Sequence, residues 1–149
     1  MNLQASTDTI HASAVVVGDR GILIRGPSSS GKSSLALGLI DDPRLGAELL
    51  ADDRLVLLAI PDGLIARAPT PLKGLIEVRG IGIVRAAHVD EAKIALCVDL
   101  RRLDDCPRYP AIEERYVTLL GQSIPRLALP IGIADGVIRV RIALREWSE

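Results

Sequence analysis

The apolar positions fall mostly in short, β-branched runs divided by polar or glycine-containing breaks, and few stretches carry helical spacing. Thr9–Gly18 and Gly21–Arg25 are apolar runs separated by Gly18-Asp19-Arg20-Gly21, which predicts two strands joined by a tight turn. Ser33 to about Ile40 (SSLALGLI) is rich in helix formers and stops at Asp41-Asp42-Pro43, where proline ends a helix. Ala47–Ala51 and Leu55–Ile60 are further strand candidates, interrupted by Asp52-Asp53-Arg54. Gly63–Ala68, Ile76–Val84, Ala92–Leu100 and the short Leu127–Ile131 also read as extended. Asp104 to Glu114 is polar and proline-containing, a loop long enough to be functional. Between Val137 and Arg145 two periods coexist. Ile138, Val140, Ile142 and Leu144 alternate with arginines as in a strand, while Val137, Val140 and Leu144 mark a helical stripe.

Composition narrows the class. A chain of 149 residues with 48% hydrophobic and 25% charged positions suits one globular domain burying roughly 70% of its unfolded surface. There is no Phe, one Trp (Trp147) and two Tyr (Tyr109, Tyr116), so the core must be built from Ile, Leu, Val and Ala. The scarcity of rings argues against base stacking as a mode of nucleic-acid recognition. It also implies that any purine is held by aliphatic and backbone contacts. A net charge of −1 gives no global basic field for nucleic acid. No apolar run reaches the roughly 18–20 residues of a membrane span, and MNLQASTDTIHAS lacks the regions of a signal peptide. Cys97 and Cys106 make no metal or redox spacing and read as reduced thiols. A cytoplasmic protein without membrane or nucleic-acid partners is expected.

The strongest motif is Gly26-Pro27-Ser28-Ser29-Ser30-Gly31-Lys32-Ser33, a full match to G-x-x-x-x-G-K-[ST] between a predicted strand and a predicted helix. Such a loop turns backbone N–H groups onto phosphate oxygens at the positive end of a helix. Lys32 would reach the β- and γ-phosphates and the Ser33 hydroxyl would ligate Mg²⁺, so a nucleoside triphosphate or a similar polyphosphate is the expected ligand. Leu49-Leu50-Ala51-Asp52-Asp53 ends an apolar run in two carboxylates. One could hold Mg²⁺ through water and one could take a proton from an attacking hydroxyl, although Asp-Asp is also common in plain turns. Asp99, after Leu96-Cys97-Val98, is a weaker candidate of the same kind.

These residues resemble the catalytic domain of the HPr kinase/phosphorylases. His11 lies shortly before the phosphate loop, Leu50-Ala51-Asp52-Asp53-Arg54 looks like the family's ADD(R/N) segment, and Leu75-Ile76-Glu77-Val78-Arg79-Gly80-Ile81-Gly82-Ile83 matches L-[LI]-E-[IV]-R-G-[LI]-G-I. Leu119-Leu120-Gly121-Gln122-Ser123-Ile124-Pro125 is a weaker echo, and the likeness runs from about Thr9 to Ile131. The resemblance implies that Ser33 and Glu77 ligate Mg²⁺, that Lys32 holds phosphates, and that Asp52 or Asp53 accepts the proton of a substrate serine. It further implies that His11 assists that carboxylate, that Arg79, Gly80 and Gly82 support the Glu77 loop, and that Arg108, or else Arg115, is a catalytic arginine. Taken alone, His11 would read as a half-buried histidine, Glu77 and Arg79 as a solvated strand face, and the glycines as bulges or turns. Gly132-Ile133-Ala134-Asp135-Gly136 stands where larger members, which carry a further N-terminal domain, have a glycine-arginine-asparagine run. The missing basic residue bears on the phosphorolysis half of the activity. By resemblance the tail beyond Gly136 should be helical.

The expectation is therefore an α/β, P-loop-containing kinase domain with a mixed, strand-rich sheet and few helices, a single unit over residues 1–149. It would use ATP and Mg²⁺ to phosphorylate a serine of the phosphocarrier HPr or a paralogue, with phosphorolysis by inorganic phosphate as the reverse step. By resemblance it would assemble as a hexamer. Two rivals are a P-loop kinase for a small metabolite, whose arginine-bearing lid only Asp104–Arg115 could supply, and a nucleotide-sensing regulatory module.

Overall fold

A computed structural model describes residues 7–147; the first six residues of the stretch read for a leader lie outside them. The first apolar run is two strands, β1 (Thr7–Ile10) and β2 (Ser13–Val17), because they serve different partners. β1 pairs with a later strand, whereas β2 pairs with β3 (Arg20–Arg25) across the predicted turn. The motif then leads into α1 (Lys32–Asp41), and β4 (Glu48–Ala51) returns to the other side of β2. β5 (Leu55–Ile60) and β6 (Gly63–Arg67) form a hairpin that carries β1 on its outer edge. The Ile76–Val84 run is a hairpin as well, β7 (Leu75–Val78) and β8 (Gly82–Arg85), turning at Arg79–Ile81.

The long β9 (Glu91–Arg101) organises the sheet. Its first residues pair antiparallel with β6, and its remainder runs parallel to β3 on one side and to β11 (Gln122–Pro130) on the other. The Asp104–Glu114 segment contains two short 3₁₀ turns. It is followed by β10 (Tyr116–Leu119), a strand that the hydrophobic pattern does not predict. β10 and β11 meet through Leu120-Gly121, both with positive φ. The tail is α2 (Gly136–Glu146), a helix.

Both faces of the central strands are covered, which is why they read as continuous apolar runs. Ile22, Ile24, Leu96, Val98 and Leu129 pack against Leu35 and Leu39 of α1 and Val140 and Leu144 of α2. Leu23, Cys97 and Val16 face the layer built from Leu55, Leu57, Leu64 and Ala66. Among the described residues no helix is long and apolar enough to cross a membrane.

One consequence positions the site. β2 is antiparallel to both β3 and β4, so β3, β4, β9 and β11 all run the same way. Their carboxyl ends share one edge, where ligands of open α/β sheets bind.

Candidate active site

The Gly26–Ser33 loop leaves the end of β3 and enters α1 at that edge. Gly31, just before the helix, has φ 100°, a left-handed conformation that a side chain would strain. The loop closes on itself through Ser30 N–H to the Pro27 carbonyl at 3.1 Å. Lys32 is buried, and its ammonium donates to the carbonyls of Gly26 (3.0 Å) and Pro27 (3.1 Å). Two of its three hydrogens are thus used to hold the loop, leaving the third for a ligand.

The acidic pair follows β4, one strand beyond β2, and its two members differ. Asp52 Oδ1 accepts from the Ser33 hydroxyl at 2.5 Å and from the buried Ser13 hydroxyl at 3.0 Å, and Oδ2 accepts from the Glu77 N–H at 3.1 Å. It therefore ties the loop, strand β2 and the β7–β8 hairpin together. Asp53 is exposed and left-handed (φ 68°), and its N–H donates to the Ser13 hydroxyl at 3.2 Å. Strain of this kind in a non-glycine residue gathers at functional sites. Ser13 is a residue that sequence reasoning missed. The only signal was a lone hydroxyl at the head of an otherwise apolar strand.

The hairpin is anchored by Ile76, buried with the α1 side of the core, and by the chain after β8. There the Leu49 N–H donates to the Ala87 carbonyl and the Val89 N–H to the Leu49 carbonyl. Glu77 stays exposed at this anchor. A cleft of about 790 Å³ results, lined by Ser28, Ser29, Gly31, Lys32, Ser33, Asp52, Asp53, Glu77 and Arg79, with Leu72, Leu75 and Ile83 as apolar walls.

The other expected residues lie elsewhere. Gly26, Pro27 and Ser30 shape the loop without lining this cleft, and Gly80 and Gly82 shape the hairpin turn. His11 is exposed at the break between β1 and β2, two residues before Ser13, and does not line the cleft. Arg108 lines a separate cavity of about 360 Å³ with Arg101, Arg126 and Trp147, its guanidinium 5.8 Å from the Tyr109 ring centre. Arg115 stacks on Trp147 at 4.9 Å. Among the described residues Arg79 is the arginine that lines the cleft. Asp99 is buried in a bidentate pair with Arg25 (2.7 and 2.9 Å), with Arg126 at 3.7 Å and Arg101 at 3.9 Å. That pair raises the Arg25 guanidinium further and leaves Asp99 a structural role.

A mixed sheet with a glycine-rich turn after a central strand, and carboxylates at the end of a parallel strand two places along, is an α/β kinase-like fold. The chain belongs to the HPr Serine kinase C-terminal domain family, whose family model matches residues 2–141. It is 34% identical over 137 residues to an HPr kinase/phosphorylase of Halalkalibacterium halodurans, covering 85% of this chain and 43% of that protein. It is 30% identical over 151 residues to one from Lactobacillus delbrueckii subsp. bulgaricus, covering 93% and 47%. The chain thus spans less than half the length of these curated relatives. Among solved structures, the HPr(Ser) kinase/phosphatase from Coxiella burnetii matches with a TM-score of 0.79 and 28% identity, over 94% of this chain and 90% of that one.

Proposed function

We propose that residues 1–149 form the catalytic unit of an ATP-dependent protein serine kinase acting on the phosphocarrier HPr or a paralogue. The observation that carries this is the convergence of Lys32, Ser33, both aspartates, Glu77 and Arg79 in one cleft of a chain from this family. Lys32 and the loop amides hold the β- and γ-phosphates, and Arg79 adds positive charge beside them. Most catalysis of phosphoryl transfer comes from such positioning and charge neutralisation.

The two carboxylates divide the work. Asp52 is fixed by three hydrogen bonds and faces Ser33, as a metal-side carboxylate must. Asp53 presents an exposed carboxylate at the cleft and is assigned as the acceptor of the seryl proton. Ser33, Glu77 and Asp52 are an all-oxygen donor set that suits Mg²⁺, which retains waters and prefers one or two carboxylates plus phosphates to a protein cage. Bound Mg²⁺ supplies neutralisation of the phosphoryl oxygens. His11, on the same edge as Ser13, is assigned an assisting role to the acidic pair. In the reverse direction inorganic phosphate attacks phosphoserine. A P–O bond forms to give pyrophosphate, the bond to the seryl oxygen breaks, and the Asp53 carboxyl returns the proton.

A protein substrate is favoured over a small metabolite by the position of the 104–115 segment. It borders the second cavity instead of covering the cleft, so the cleft stays open beside the exposed Ile81 and Ile83. Arg108 is likewise on that other side, and any part it takes in transfer would be played toward a neighbouring copy in the proposed hexamer. The free thiols of Cys97 and Cys106 support a reducing, cytoplasmic setting. Incubation with Mg-ATP and HPr, followed by mass-spectrometric mapping, should give one phosphoserine, and Lys32→Ala should abolish it. Transfer that survives Lys32→Ala, or none to any phosphocarrier with ATP bound, would sink the proposal.

A further inference from the structure

One hydroxyl stands out from the apolar pattern that builds the sheet. Ser13 opens β2 ahead of Ala14, Val15 and Val16, in the strand between β3 and β4, and is 0% exposed. A hydroxyl buried there costs free energy unless it is hydrogen-bonded. Both of its bonds go to the acidic pair: it donates to Asp52 Oδ1 at 3.0 Å and accepts from the Asp53 N–H at 3.2 Å. The backbone explains why Asp53 needs that acceptor. β4 ends at Ala51, opposite Ala14, so the ladder supplies no partner beyond it. The chain then turns within three residues, with the Arg54 N–H donating to the Asp52 carbonyl at 2.9 Å around Asp53. The φ of 68° at Asp53 belongs to the rarer, strained form of such a turn.

The geometry points to Ser13 as a positioning residue that holds the Asp53 turn in its strained form and so aims the Asp53 carboxylate into the cleft. The inference rests on the kinase reading above, in which Asp53 accepts the seryl proton, and deepens it. Ser13 acts through Asp53 more than through Asp52. Asp52 keeps the Ser33 hydroxyl and the Glu77 N–H when Ser13 is lost, whereas the Asp53 N–H loses its acceptor. Ser13 also pairs with Ile24 of β3, two residues before Gly26, which fixes the acidic pair relative to the phosphate loop. A misplacement of about 1 Å at a reacting group can cost about a hundredfold in rate.

The test measures kcat for transfer to HPr, and ATP affinity by calorimetry, in Ser13→Ala and Ser13→Cys, each alone and combined with Asp53→Gly. Cysteine fills the space of serine but hydrogen-bonds weakly, so it preserves the packing and removes the hold. Both single variants should lose about thirtyfold in kcat. They should bind ATP within about threefold of the unaltered chain, because Lys32 and its loop contacts stay in place. With glycine at position 53 the turn carries neither strain nor carboxylate. There the same changes at Ser13 should cost less than about threefold more. Equal fold losses in both backgrounds, full activity in Ser13→Cys, or a loss confined to ATP affinity would overturn the assignment. Failure of the unaltered chain to phosphorylate HPr would overturn the kinase reading instead.

Discussion

Asp52 and Asp53 are adjacent in sequence and chemically identical, yet their surroundings separate them. Asp52 accepts from two hydroxyls and an amide, so its loss would untie three elements at once. Asp53 accepts nothing comparable and sits at φ 68°, where glycine is at ease. Asp53→Gly keeps the backbone bond to Ser13 and removes the carboxylate. It should leave the melting temperature unchanged or slightly raised and cut phosphoryl transfer by about a hundredfold or more. Asp52→Ala should lower stability by roughly 1–3 kcal/mol as well as activity, read by denaturant titration. Cys97 gives a pH signature. Burial, with the Asp99 charge adding to it, pushes its thiol up to about 12 from an ordinary 9.0. In the unfolded chain the thiol ionises first, so stability present below pH 9 is lost as pH rises from there toward 12. Cys97→Ala should remove that part of the alkaline slope, and the native thiol should resist iodoacetamide at neutral pH.

At the scale of elements, the hairpin of β7 and β8 decides where Glu77 stands. Gly74, at its entry, has φ 76°, and a Cβ there would lie 2.7 Å from the His88 ring. Gly74→Ala should therefore shift the hairpin, costing roughly 1–3 kcal/mol in chemical denaturation, and should raise the Mg²⁺ concentration needed for transfer. The hairpin's residues are legible in the sequence as a motif and Gly80 and Gly82 signal a bulge or turn, but the apolar run Ile76–Val84 reads as one extended segment and does not show that the chain reverses there. β10 has little signature in the sequence, because Tyr116–Leu119 is short and follows a proline-containing stretch. Its signal was the Leu120-Gly121 pair, both of whose residues turn left-handed. In α2 the apolar positions fit both a strand-like alternation with arginines and a helical stripe through Val137, Val140 and Leu144. Packing settled it: Val140, Ala143 and Leu144 meet the helical face of the core, and Arg141 pairs with Asp42 at the end of α1.

For the molecule as a whole, the core is built from aliphatic side chains, with Trp147 packed at its margin. Leu144→Ala, at a nearly buried position beneath the Arg20 contact to its carbonyl, should cost about 2–4 kcal/mol by denaturant titration. Local patterns were enough to announce most strands, the helix after the loop, the glycine-rich motif and the family. Each depends on neighbours in sequence, where spacing and turn chemistry act directly. The meeting of Lys32, Asp52 and Glu77, the separation of Arg108 from them, the part of Ser13 and the burial of Asp99 against Arg25 depended on strand order. Which strands lie side by side is decided by burial summed over the whole sheet, and no single segment of the chain carries that information.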